Sequence, residues 1–134
     1  MDLIIGHSAP RVDAGAKVTG QALYPGDLIR PGLLHMKVLF ARRPHARIRS
    51  IDTAAASRAP GVVAIFTAAD VPVNRYGLNL PDQPVLCGPG SDQAGADVVR
   101  FVGDQVALIV AETEEQAAAA RELIRVDYED LPVV

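Results

Sequence analysis

Three histidines, one cysteine and a late group of carboxylates are the side chains of this 134-residue chain that could support metal, nucleophilic or acid–base chemistry. His7, His35 and His45 are separated by long gaps. No His-x-His or His-Glu-x-x-His spacing occurs, so the ligand count for a metal site is not met. Cys87 could act as a nucleophile only beside a base. No histidine lies near it in the sequence, and it reads as an incidental thiol. As the sole cysteine it forms no Cys-x-x-Cys pair, internal disulfide or iron–sulfur site. Catalytic carboxylate pairs need contrasting environments that separate their pKa values. Glu112, Glu114, Glu115, Asp127, Glu129 and Asp130 instead fall at a helix start and on an alternating polar face, and read as caps and solvated surface. Arg42, Arg43, His45, Arg47 and Arg49 form the one basic cluster, an anion or nucleic-acid patch on its sharpest reading. No aromatic residue interleaves it and the net charge is −3. It therefore reads as an arginine-rich strand edge facing an acidic neighbour. No Gly-x-Gly-x-x-Gly follows a strand, and Gly88-Pro89-Gly90 lacks a run of N–H donors because proline has none. The residues assign no catalytic, cofactor-binding or metal-binding position.

The elements around these residues form an α+β pattern. Seven glycines and prolines between Gly6 and Pro31 make residues 1–30 an extended lead-in, with at most a short strand near Gln21–Tyr24. Within it, Asp13 and Lys17 stand four apart and could pair. Leu33 to Phe40 alternates, placing Leu34, Met36, Val38 and Phe40 on the buried face and His35 and Lys37 on the other. Ala46 to Ile51 alternates again. Asp52 caps a short helix over Thr53–Arg58, which Pro60-Gly61 stops. Val62–Phe66 is an inner strand, and Thr67 with Asp70 resembles a capping box on a single helical turn. Residues 72–97 are a long Gly/Pro-rich loop, either a mobile surface loop or one that orders against a neighbouring domain. The uninterrupted apolar run Val106–Ala111 suits a strand covered on both faces. Thr113 and Gln116 then box the start of an alanine-rich helix, and Ile124, Val126 and Tyr128 form one face of a closing strand. Two strand–helix–strand units result, near 46–66 and 106–128. They predict a mixed sheet with short helices on one face, whose flanking strands run parallel if each unit is a crossover.

Composition and length fit one soluble domain spanning residues 1–134. The net negative charge gives no reason to expect nucleic acid or an anionic membrane as a partner. No apolar run approaches the roughly 20 residues of a membrane span. Leu3-Ile4-Ile5 has no basic flank of the secretory type, and a lone cysteine suits the cytoplasm.

Several segments occur in a characteristic order. They are Arg11–Gly20 with Tyr24 and Asp27, Pro44-His45-Ala46-Arg47-Ile48 with Ile51-Asp52, Pro60-Gly61-Val62-Val63, and Asp70-Val71-Pro72. Asp82-Gln83-Pro84-Val85-Leu86, Val102-Gly103 with Val106-Ala107, and Val126-Asp127-Tyr128-Glu129-Asp130-Leu131-Pro132 follow. Together they resemble the N-terminal a/b hammerhead domain of the molybdenum-binding large subunit in the xanthine dehydrogenase/aldehyde oxidase family. Asp104-Gln105 departs from the family's usual pattern after the glycine, Arg43 stands where serine is common, and Gly88–Ala96 is longer than usual. The resemblance implies a domain of an oxidoreductase that hydroxylates purines, N-heterocycles or aldehydes. The complete enzyme would carry a molybdenum–pterin (molybdopterin) cofactor, iron–sulfur clusters and FAD. None of the family's catalytic or pterin-holding residues maps onto residues 1–134, so the chain alone is expected to be inactive. Its partners would be the downstream molybdopterin-binding domain, an iron–sulfur subunit or domain and a flavin subunit or domain. An isolated fragment of this kind would expose an apolar docking face. The competing expectation is a freestanding α+β binding or protein-interaction module without redox chemistry.

Overall fold

The computed structural model describes Gly6 and residues 8–133. The expectations placed on His7 and on Leu3-Ile4-Ile5 lie outside the described residues. Backbone packing divides the chain into two units, Met1–Leu33 and Leu34–Val134.

In the first unit the lead-in is helical where an extended chain was expected. Helix α1 spans Ala14–Val18, and a 3-10 turn spans Pro25–Asp27; no strand forms near Gln21–Tyr24. Ala14, Ala16 and Lys17 favour helix, and Lys17 pairs with Asp13 one turn earlier at 2.8 Å. Arg11 first, then Lys17, holds the exposed Asp13 carboxyl below its ordinary range. The helix ends where Gly20 takes a positive φ of 74°. The Gln21 N–H then reaches the Ala16 carbonyl at 2.8 Å and the Gly20 N–H that of Lys17 at 3.3 Å, a glycine-terminated stop. The dense glycines thus mark the end of a helix as well as loops.

The second unit is α+β, with strands β1 (His35–Phe40), β2 (Ala46–Asp52), β3 (Val62–Phe66), β4 (Val98–Val99), β5 (Gln105–Ala111) and β6 (Arg125–Asp130), and helices α2 (Ala54–Ser57) and α3 (Glu114–Leu123). The strands form two three-stranded sheets, ordered β1-β5-β3 and β4-β2-β6. Both strand–helix–strand units are present, but the expectation of parallel flanking strands is overturned, because every ladder is antiparallel. Each unit crosses from one sheet to the other. β2–α2–β3 leaves the second sheet for the first, and β5–α3–β6 returns, so that β2 pairs with β6 and β3 with β5. A helical connection need enforce parallel strands only when both strands stay in one sheet.

The caps read from the sequence are in place. The Asp52 carboxylate accepts from the Ala54 N–H at 2.9 Å, and Asp70 accepts from the Thr67 N–H at 2.7 Å. Thr113 Oγ1 accepts from the Gln116 N–H at 3.2 Å, while Gln116 Oε1 accepts from the Thr113 N–H at 3.0 Å. This reciprocal pair satisfies two donors that α3 would otherwise leave open. Replacing Thr113 with alanine is expected to cost about 1 kcal/mol; an unchanged urea midpoint would show that the box contributes nothing. Gly61, with a φ of 75°, lies under the same box, and a Cβ there would fall 2.2 Å from the Gln116 side chain.

The core has two parts. Ala117, Ala120 and Ile124 of the α3 region pack with Ala56 of α2 onto Ala107, Ile109 and Ala111 of β5. Small alanines let the helix lie close to the sheet. Ala46, Ile48, Val99, Val106, Ala41 and Cys87 form the second part, and Leu39, Ile51 and Val126 touch both. Irregular pairing allows this. In β2 the register shifts between Ile48 and Ser50, so Ile51, assigned by alternation to the arginine face, joins the core. Between Leu39 and Phe40 the register skips Val106 on β5, so Val106 and Ala107 are both fully buried.

Residues 72–97 are not simply a surface loop. Asn74, Leu86, Cys87 and Ala96 are buried. Asn74 Nδ2 donates to the Leu86 carbonyl at 2.8 Å and to Ser91 Oγ at 2.9 Å, and the Leu86 N–H donates to Asn74 Oδ1 at 2.9 Å. One buried amide side chain replaces the ladder partners that an irregular segment lacks.

Candidate functional site

The residues capable of chemistry are dispersed. Cys87 is buried, and burial, aided by the nearby Asp104 carboxylate, pushes its thiol up to about 12. Thiolate is the reactive form, so the native protein is expected not to react with a thiol-specific disulfide reagent at pH 8 and to react fully once unfolded. Rapid labelling of the native chain would overturn this placement. The thiol stays protonated in the fold beyond its ordinary value of 9.0, so the unfolded chain releases this proton first. Cys87 therefore contributes its full stabilisation below pH 9, and this is lost as pH climbs toward 12. His45 Nδ1 lies 2.7 Å from the Pro132 carbonyl, which ties the start of β2 to the exit segment. His35 lies at the first position of β1. Among the described residues no three His, Cys, Asp or Glu side chains gather as a metal site.

Three arginines of the basic cluster are paired within the chain. β2 is the central strand of its sheet, which corrects its reading as a strand edge. Its arginines face carboxylates on both neighbouring sides. Arg47 meets Asp97 at 2.5 Å, Arg49 meets Glu129 at 2.8 Å, and Arg43 lies 3.7 Å from Asp130. Arg43 also stands over the Tyr128 ring, 5.4 Å from its centroid. Burial pushes the Tyr128 hydroxyl up, partly opposed by Arg43. Glu114 opens α3 and pairs with Lys37 of β1, which holds its carboxyl below the ordinary range. Of the late carboxylates, Glu114, Glu129 and Asp130 thus act as counter-charges.

A cavity of about 350 Å³, which the sequence did not reveal, opens between the segment around Tyr76–Val85 and the turn Arg100–Gln105. Its carboxylate at Asp104 is engaged by the backbone, accepting from the Arg100 N–H at 2.6 Å and the Phe101 N–H at 3.2 Å. Tyr76 and Gln83 pair through their main chains on the opposite wall. Cys87, beside Asp104, is buried and does not line the cavity.

The most distinctive surface is one face of the β1-β5-β3 sheet. Residues paired across antiparallel strands share a face. Met36 pairs with Val110 and Ala64 with Val110, while Val38 pairs with Leu108 and Phe66 with Leu108. These side chains lie opposite the face that carries Ile109 and α3. Alternation alone therefore puts the wrong side of β1 in the core: Met36 is 58% and Phe40 43% exposed, whereas Leu39 packs inward. Lys37 lies on the covered side, where it reaches Glu114. Periodicity separates two faces but does not say which one a helix covers.

This geometry defines an α+β domain in which two helical crossovers exchange the chain between two antiparallel sheets. Residues 19–132 match the family model described as "Aldehyde oxidase and xanthine dehydrogenase, a/b hammerhead domain". The chain belongs to that family. It is 48% identical over 128 residues to a probable xanthine dehydrogenase subunit of Bacillus subtilis (strain 168), covering 95% of this chain and 16% of that protein. The solved Cu,Mo-CO dehydrogenase in its carbon monoxide reduced state superposes with a TM-score of 0.82 at 37% identity, over 96% of this chain and 16% of that one. Aldehyde oxidoreductase from Desulfovibrio gigas superposes with a TM-score of 0.80 at 37% identity, over 92% of this chain and 14% of that one. The chain thus spans about one sixth of the length of such relatives.

Proposed function

We propose that this chain is the N-terminal scaffold and docking domain of a molybdopterin-dependent oxidoreductase, a hydroxylase or dehydrogenase of purines, N-heterocycles or aldehydes. Residues 1–134 carry no catalysis by themselves. The observation that carries this reading is the match of residues 19–132 to the hammerhead family. The names of the relatives support it: a probable component of xanthine dehydrogenase, a molybdenum-containing CO dehydrogenase and an aldehyde oxidoreductase.

The described residues do not fit the cofactors of such an enzyme. An iron–sulfur cluster needs several thiolates, and the one thiol here is buried and protonated. A pterin or flavin phosphate needs converging N–H donors or cations, whereas Arg43, Arg47 and Arg49 already meet carboxylates. The molybdenum, iron–sulfur and flavin groups therefore belong to the partners: the downstream molybdopterin-binding domain, the iron–sulfur component and the flavin component. No described helix is long and apolar enough to cross a membrane, and we assign the assembly to the cytoplasm.

Metal, pterin and flavin analysis of the protein purified from its source with all that accompanies it tests this. Molybdenum, iron and flavin arriving with a longer chain containing residues 1–134 is the expected result. A small protein free of all three would overturn it in favour of a freestanding interaction module.

A further inference from the structure

We infer that the outer face of the β1-β5-β3 sheet is a permanent intrachain interface, covered by an apolar surface from the remainder of the large polypeptide that carries this domain. The inference rests on the docking-domain reading and deepens it by naming the face.

An antiparallel sheet with one side in water ordinarily places polar residues on that side. This sheet does not. Its outer positions are Met36, Val38 and Phe40 on β1, Leu108 and Val110 on β5, and Ala64 and Phe66 on β3, with one polar residue, Gln105, opposite Phe40 at the end of the face. None carries a charge, and Met36, Phe40 and Phe66 are exposed. The central strand is apolar at every position from Val106 to Ala111, yet α3 covers only the Ile109 side. Its sequence is that of a strand buried on both faces, and one cover is missing.

A contiguous apolar sheet face is a recognition surface in a soluble protein. Its lack of charge matches an obligate contact, since transient interfaces retain a more polar composition. The occupant follows from proportion. In the relatives this domain is only 14–16% of a chain, so most of each polypeptide is tethered to it at high effective concentration. A tethered apolar surface covers the face before a second copy or a separate polypeptide can reach it.

Met36 provides a probe near the start of the edge strand β1 without mutation. Hydrogen peroxide converts accessible methionine to the sulfoxide, and peptide mass spectrometry reads each methionine separately. In the native full-length protein, Met36 is expected to oxidise at least about tenfold more slowly than in the same chain unfolded in urea. That protection should persist through a hundredfold dilution and after separation from copurifying chains. Oxidation of native Met36 at nearly the unfolded rate overturns the inference. Protection lost on dilution overturns it in favour of a second copy, and protection lost when the copurifying chains are removed overturns it in favour of one of them. A longer chain that holds molybdenum but oxidises freely at Met36 leaves the proposed function standing while this inference falls. Absence of any longer chain removes both.

Discussion

Replacing Asn74 with alanine is expected to destabilise the protein by about 3 kcal/mol or more, because a buried unmet polar group costs about 1–3 kcal/mol and several are created together. The side chain is fully buried. It holds both main-chain groups of Leu86 and the hydroxyl of Ser91, and no water-facing route exists for the Leu86 groups, since Leu86 is itself fully buried. Aspartate is the sharper test. It preserves shape and can still accept from the Leu86 N–H, but it places a second carboxylate oxygen against the Leu86 carbonyl and buries a charge. Aspartate should therefore be no better than alanine near pH 7 and should recover part of the loss as acid protonates it. Urea unfolding reads the loss, and amide exchange at Leu86 localises it. Native stability in both variants would mean that residues 72–97 hold themselves without Asn74.

The second large effect is in the sheet. Ile109 is fully buried on the central strand, between Lys37 and Ile65 in register and beneath α3. Truncation to alanine is expected to cost about 3–4 kcal/mol, and to valine about 1 kcal/mol, from lost transfer energy and the remaining cavity. A domain holds only about 5–15 kcal/mol in total, so the alanine variant lies near the limit of folding. The two costs should scale with the methyl groups removed. Equal, small costs for both would show that α3 collapses onto the space and that the packing of Ala117 and Ala120 is looser than their complete burial indicates.

Local chemistry is legible from the residues alone. The caps at Asp52, Asp70 and Thr113 lie where Ser/Thr/Asp spacing puts them, because a capping hydrogen bond involves only residues within one turn. Helix α1 escapes a sequence reading because five residues, with Gly15 inside them and Gly20 just beyond, carry too weak a periodic signal to outweigh their neighbours. Asn74 escapes it because nothing within a few residues distinguishes a buried, bridging asparagine from one in a turn. The cavity beside Asp104 is hidden because its two walls, near residue 80 and residue 103, meet only through the fold.

By itself the sequence determined which residues alternate, where the start of α3 is capped, and through its ordered motifs the hammerhead family. Those properties depend on neighbours within about four residues or on motif order along the chain. Tertiary structure alone decided that the crossovers change sheets, that β2 is central and its arginines already neutralised, and that the Met36 side of β1 faces outward while Lys37 lies under α3. The physical reason is that a strand's period distinguishes its two sides, whereas the choice of which side is covered depends on partners far away in sequence. In β5 both sides are apolar, and α3 sets which of them is covered.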